Sequence, residues 1–214
     1  MKVNVMTDIL KANDLLARDI RAMLDGKGIV SWNIMGSPGS GKTAILERLI
    51  PILEREAKVA VIEGDLATSR DAERIAKTGV QSTQINTNGG CHLDAAMVRS
   101  ALEKIDLEGL KILFIENVGN LVCPAEFSLG ESGRIIVSSI TEGDDKPEKY
   151  PSMFRTARLV VLNKIDLLSQ TDFRSDAFTR GMKRINPEAE LLQVSARDGK
   201  GFPELAEWIR SRLL

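Results

Sequence analysis

The stretch GSPGSGKT, residues 36–43, decides the fold. It satisfies G-x-x-x-x-G-K-[ST] in full, with the apolar run GIVSWNIM (28–35) before it and the helical segment AILERLIPIL (44–53) after it. A strand that enters a glycine-rich turn and opens a helix points successive backbone N–H groups at one spot, where phosphate oxygens are held. Gly36, Ser37, Pro38, Gly39, Ser40 and Gly41 form the expected cradle. Lys42 is expected to reach the β- and γ-phosphates of a nucleotide, and Thr43 to ligate Mg²⁺. A chance glycine-rich turn would not carry this strand and helix on its two sides.

Outward from that loop, apolar runs alternate with helical segments. The strand candidates are 28–35, 58–64, 82–87, 111–117, 134–140, 158–164 and 191–196, and the helical candidates 42–55, 69–77, 93–105, 171–184 and 202–213. Apolar strands separated by helices imply β-α crossovers and a mostly parallel sheet covered on both faces. The expectation is an α/β fold of the P-loop NTPase kind, as a single domain over 1–214. A helical extension over 1–27 is read from the apolar spacing of residues 6–24, which Asp25-Gly26-Lys27-Gly28 breaks. The polar stretch TEGDDKPEKYP (141–151) is expected outside the core. In a parallel sheet the loops that follow strands gather along the carboxyl edge, where ligands bind.

The 214 residues are 43% hydrophobic and 28% charged, with a net charge of −1. Such a balance gives no reason to expect nucleic acid or an anionic membrane as partner. No apolar run reaches membrane-spanning length, and residues 1–19 do not read as a secretory signal. With two cysteines there is no disulfide framework, and a reducing cytoplasm is the expected compartment.

Asp65 ends the run KVAVIEGD and Glu116 the run KILFIEN. An acid that closes a strand beside a phosphate loop is placed to hold a Mg²⁺-bound water, so Lys42, Asp65 and Glu116 are the candidate catalytic residues. In ENVG (116–119), Gly119 is placed to donate its N–H to a γ-phosphate. NKID (163–166) follows another strand. A carboxylate at Asp166 accepts from guanine N1–H and its 2-amino group, donors that adenine lacks there. Lys164 can cover the ring face, Asn163 can brace the loop, and Ser195-Ala196-Arg197 ends the last strand where a backbone N–H can meet guanine O6. The nucleotide expected is GTP.

The only histidine, His92, follows Cys91 in NTNGGCHLD, and the only other cysteine is Cys123 in GNLVCPAEF. Cys91 is expected at a helix N-terminus, which would favour its thiolate. Free cysteines are often small buried hydrophobes, but here every Cys and His maps to the carboxyl edge. Two thiolates and an imidazole are three ligands. A closed zinc site needs four, and nickel takes the same donors, so a site shared across a two-fold interface is expected.

Together GSPGSGKT, EGD, NGGCHLDAAMV, ENVGNLVCPAEFSLGE, TEGDDKPEKYP and NKIDL, in that order, resemble the HypB family. That family comprises GTPases that deliver nickel during assembly of [NiFe]-hydrogenase. The resemblance implies a SIMIBI-like P-loop fold and a nickel or zinc site of Cys91, His92 and Cys123 at a GTP-promoted homodimer interface. It also implies Mg²⁺ near Thr43, Asp65 and Glu116, and hydrogenase maturation proteins and the hydrogenase large subunit as partners. Residues 1–14 show neither the cysteine motif nor the histidine-rich stretch of some members, so the expected site binds metal less tightly. A translation GTPase with accidental thiols and a passive metal store are the readings that compete.

Overall fold

Seven apolar runs lie side by side as β1 (Val30–Gly36), β2 (Lys58–Asp65), β3 (Gln81–Asn86), β4 (Leu110–Glu116), β5 (Gly133–Ser139), β6 (Ala157–Asn163) and β7 (Glu190–Gln193). The computed structural model describes the backbone of residues 5–65 and 70–213, with side chains from residue 8 onward except at 65, 70 and 72. The strand order is β3-β2-β4-β1-β5-β6-β7. Every pairing between these strands is parallel. β1 is buried along its whole length, as a central strand covered on both faces must be.

The helices are α1 (Val5–Gly26), α2 (Lys42–Leu53), α3 (Arg70–Ala76), α4 (Ala95–Leu102), α5 (Lys146–Lys149), α6 (Pro151–Arg155), α7 (Ser175–Ile185) and α8 (Phe202–Arg210). On one face α2, α3 and α8 enclose a core that includes Leu46, Leu49 and Ile75, with Trp32 against Trp208 at 4.9 Å between ring centroids. On the other face α1 and α4 cover β2 and β4 through Ala17, Ile20, Leu24, Val98 and Leu102. α6 and α7 cover β5 and β6 through Met153, Phe154, Phe178 and Met182. In α1 the buried face runs through Asn13, Ala17, Ile20 and Leu24, a helical stripe, while Ile9 and Leu15 are exposed.

Element boundaries fall within a few residues of those expected from the sequence, with two informative differences. Residues 141–151 form a short 3-10 turn (Ile140–Glu142) and then α5 and the start of α6, rather than a loop, and of them Pro147 alone is buried. Pro147 and Pro151 sit in the first turns of those helices, where a missing N–H is harmless, and Pro147 is buried. The second difference is that α4 begins at Ala95 rather than 93, because Asp94 caps it by accepting from the Met97 N–H at 2.8 Å.

The strand order positions the site. β1 lies between β4 and β5, so the loop leaving β1 opens at the point where the chain turns to either side. The ends of β2, β4, β5 and β6 surround it.

Candidate functional site

Residues 36–43 run from the end of β1 into α2 and bound a cleft of about 260 Å³. Pro38, Lys42, Thr43, Glu63, Glu116 and Gly119 line it. Gly41 has φ 99°, and a Cβ there would stand 2.3 Å from Asn163 Nδ2, so only glycine fits. The Lys42 ammonium donates to the carbonyls of Gly36 at 3.5 Å and Ser37 at 3.4 Å. It thus reaches across the mouth of the loop, over the place where phosphates are expected. The Ser37 hydroxyl donates to Glu142 in the turn after β5. Ser40 is fully buried, and its hydroxyl oxygen has no hydrogen-bond partner.

Glu116 stands at the end of β4, 4% exposed, and accepts from the Thr43 hydroxyl at 2.7 Å. Its other carboxylate oxygen is buried without a hydrogen-bond partner. Burial pushes its pKa up to about 7, against the opposing pull of the Lys42 charge and the Thr43 hydrogen bond. A hydroxyl and a buried carboxylate with a spare oxygen, both facing a phosphate cleft, are the hard oxygen donors that Mg²⁺ takes. Asp65 ends β2, but its side chain lies outside the described residues.

Glu63 and Arg74 are charged cleft residues that the sequence motifs do not mark. Glu63, buried on β2, pairs in register with Glu116 on β4. The strand period of two was the available signal, since Glu63 stands two positions before the candidate Asp65. Arg74 of α3 also lines the cleft and is held by Glu47 at 2.5 Å and Asp71 at 2.9 Å. No local motif marks it.

At the base end, Asn163 ties three segments together. It donates to the Ser40 carbonyl at 3.0 Å and accepts from the N–H groups of Lys164 at 2.7 Å and Ala196 at 3.1 Å. Lys164 donates to the Gly39 carbonyl at 2.8 Å, so its stem spans from the N-K-x-D turn to the phosphate loop. Asp166 accepts from the Ser195 hydroxyl at 2.8 Å and lies 3.9 Å from the Arg197 guanidinium, which fixes the carboxylate's direction. The backbone N–H of Ser195 donates to the Lys200 carbonyl at 3.0 Å and that of Ala196 to Asn163 Oδ1 at 3.1 Å. In this arrangement Ser195 and Ala196 brace the loop that carries Asp166.

The ligand atoms of Cys91, His92 and Cys123 all lie within 4.8 Å of one another. Both cysteines are free thiols. Cys91 and His92 follow β3, and Cys123 opens a 3-10 turn (Cys123–Ala125) after β4, so the cluster stands on the carboxyl edge beside the nucleotide cleft. The His92 ring stacks on Phe127 with centroids 4.0 Å apart. Cys91 departs from expectation: its thiol pKa is raised, chiefly by the hydrogen bond with Cys123 and then by burial. Because α4 starts only at Ala95 and Asp94 caps it, Cys91 is too far from the helix end to be ionised by it.

A polar framework holds the two thiol-bearing segments. The Leu93 N–H donates to Asn117 Oδ1 at 3.2 Å, and Asn117 Nδ2 donates to Asn33 Oδ1 at 3.2 Å. Arg134 donates to the carbonyls of Ala125 at 2.8 Å and Phe127 at 2.9 Å, and is steered by Glu131 at 2.6 Å. From α1, Asn13 donates to the Ser128 carbonyl and accepts from the Ala95 N–H, each at 2.9 Å.

With this geometry in place, the likeness to known proteins is specific. The family model described as "CobW/HypB/UreG, nucleotide-binding domain" matches residues 30–193. Hydrogenase maturation factor HypB of Azotobacter vinelandii is 51% identical over 208 residues, covering 97% of this chain and 68% of that protein. The solved structure of HypB from Helicobacter pylori in complex with nickel superposes with a TM-score of 0.90 at 38% identity, covering 94% of each chain. Signal recognition particle receptor FtsY from Elizabethkingia anophelis shares the fold alone, with a TM-score of 0.59 at 13% identity over 91% of this chain and 71% of that one. The fold is that of SIMIBI-class P-loop proteins.

Proposed function

Since this chain belongs to the CobW/HypB/UreG nucleotide-binding family, on its HypB branch, we propose that it is a GTP-hydrolysing carrier of nickel in hydrogenase maturation. The observation that carries this reading is the juxtaposition of a guanine-type nucleotide cleft and a two-sulfur, one-nitrogen cluster on one sheet edge. The nickel complex of the Helicobacter protein supports the choice of metal, while the donor set also suits zinc.

In this reading the nucleotide enters with its base against Asp166 and its phosphates along residues 36–43. Lys42 leaves the carbonyls of Gly36 and Ser37 for the β- and γ-phosphates. Thr43 and Glu116, with Asp65 at the end of the neighbouring β2, would hold Mg²⁺, which would neutralise charge developing on the phosphates. Gly119 meets the γ-phosphate through its N–H. A Cβ on Gly119 would stand 3.0 Å from Pro38, so the sensing segment has no slack against the phosphate loop. Water attacks the γ-phosphorus, the bond to the β-phosphate oxygen breaks, and GDP and phosphate leave. Arg74 is engaged by Glu47 and Asp71, which accords with slow turnover until it is freed or a partner supplies a charge.

Three ligands from one chain leave a tetrahedral ion one short, so two chains close on the metal when GTP is bound. No helix among the described residues is long and apolar enough to cross a membrane, and the proposed setting is the cytoplasm with maturation proteins and the hydrogenase large subunit as partners. The test is GTP turnover and nickel titration on two variants. Lys42→Ala should lose turnover and keep a nickel site, whereas Cys91→Ala should lose nickel binding and keep turnover. Nickel binding indifferent to Cys91→Ala would remove the carrier reading.

A further inference from the structure

Among the described residues, Asn120 is the one whose hydrogen bonds touch the phosphate loop, the Cys91 loop and the approach to Cys123. Its backbone N–H donates to the Gly36 carbonyl at 3.1 Å, an isolated antiparallel bridge that lays residue 120 along the first residue of the phosphate loop. That carbonyl is also one of the two that receive Lys42. Asn120 Nδ2 donates to the Cys91 carbonyl at 3.2 Å. Its Oδ1 accepts from the Val122 N–H at 2.9 Å, shaping the turn that delivers Cys123.

We propose that Asn120 is a positioning residue that converts the nucleotide state of the cleft into the spacing of the two sulfur ligands. This rests on the carrier function set out above and adds the element through which GTP and metal are linked. Gly119 lies against Pro38, and residue 120 is fixed to Gly36, so a phosphate that repositions residue 119 repositions 120 with it. The amide then acts in two directions. Its donor side carries the Cys91 loop, and its acceptor side carries the turn into Cys123. An amide is suited to this because one planar group holds both a donor and an acceptor at fixed separation. Asp keeps only the acceptor and Ala keeps neither. Asn117 also touches the Cys91 loop, at Leu93, but among the described residues its other hydrogen bonds run to Ile34, Asn33 and Val118, outside the phosphate loop.

The measurement is nickel affinity, using nickel ion alone as probe, on the full chain with GDP and with a non-hydrolysable GTP analogue. The quantity read is the ratio of the two affinities. For coupled sites that ratio is on the order of 5–150 in the parent protein. In Asn120→Ala it should fall to about 1. Asn120→Asp, which keeps the Val122 turn and guards against a variant that does not fold, should also lose most of it. A structural role alone would weaken nickel equally in both nucleotide states and leave the ratio intact. That result, or a ratio retained in Asn120→Asp, overturns the proposal while the carrier function stands. A ratio of one in the parent protein overturns the linkage itself, and the role of Asn120 with it.

Discussion

Glu116 puts a buried carboxyl at the end of a strand that is otherwise largely apolar. In the unfolded chain it titrates near 4.5, and in the folded one at about 7, mainly because burial penalises its charge. The folded state therefore holds the proton more tightly. The nucleotide-free, metal-free protein should be most stable, as far as this group is concerned, below the unfolded value, and should lose stability as pH rises through about 7. The span corresponds to about 3 kcal/mol. Glu116→Gln keeps an acceptor for Thr43 and removes the charge. It should raise the apo melting temperature near pH 8 and change it little near about pH 5. The same variant should lower Mg²⁺-dependent GTP hydrolysis by ~10²-fold, because the buried oxygen no longer carries charge to the cation. Asp166 obeys a different rule. Asp166→Asn presents one acceptor and one donor where guanine needs two acceptors, so GTP affinity should fall by about 10- to 100-fold, the worth of one mispaired buried group. Xanthosine triphosphate, whose 2-oxo group accepts, should bind the variant better than GTP does, and competition between the two nucleotides reads this directly. Both residues were legible in the sequence because each closes a strand or follows one at motif spacing. Glu63 and Arg74 were not. Their place in the cleft comes from the register of β2 against β4 and from the packing of α3, neither of which a local spacing encodes.

At the scale of elements, α1 illustrates the difference between seeing a helix and seeing what it does. Its apolar spacing announced an amphipathic helix, and Ala17, Ile20 and Leu24 are indeed buried against the layer shared with α4. Nothing in that pattern singled out Asn13, a polar residue on the buried stripe at 8% exposure. It is there because the Ala95 N–H and the Ser128 carbonyl, one beside each thiol-bearing segment, need partners. Asn13→Ala leaves both groups unsatisfied and should destabilise the fold by about 1–3 kcal/mol. Denaturant midpoints measure this. Nickel affinity should fall as the two loops loosen, while affinity for GDP, bound away from α1, should stay unchanged. A loss of GDP affinity of the same size would mean that α1 supports the whole carboxyl edge rather than the metal half. The start of α4 shows the same limit of periodicity. The periodic run suggests a start at 93, whereas Asp94 caps the helix and it opens at Ala95, which leaves Cys91 outside its first turn.

At the scale of the whole molecule, the sheet order makes one edge serve two ligands. β1 in the centre delivers the phosphate loop, β4 beside it delivers Glu116, Gly119 and Cys123, and β3 at the margin delivers Cys91 and His92. The fold and the nucleotide half were legible because strand–loop–helix punctuation is local. The thiol cluster was legible only as a convergence of rare residues, and the polar framework around it not at all, since its partners lie up to 115 positions apart in the chain. The cluster offers three donors within 4.8 Å, and Val122, next to Cys123, is 57% exposed. Under the proposed function, a metal that takes four or more donors would be completed by a second chain, with the exposed valine carried into the contact. Nickel titration in the presence of a GTP analogue should therefore saturate at one ion per two chains, with a doubling of mass in sedimentation. Cys123→Ala should bind less metal and stay at the monomer mass at the same concentration. Val122→Asp should weaken association by about 10-fold or more while leaving the three ligands in place, because it buries an unpaired charge in the contact. One ion per monomer, bound at full affinity without any change in mass, would mean that water or another group of this chain completes the coordination. The reciprocal tightening of GTP by metal would then have to arise within a single subunit, through the segment from Gly119 to Cys123 alone.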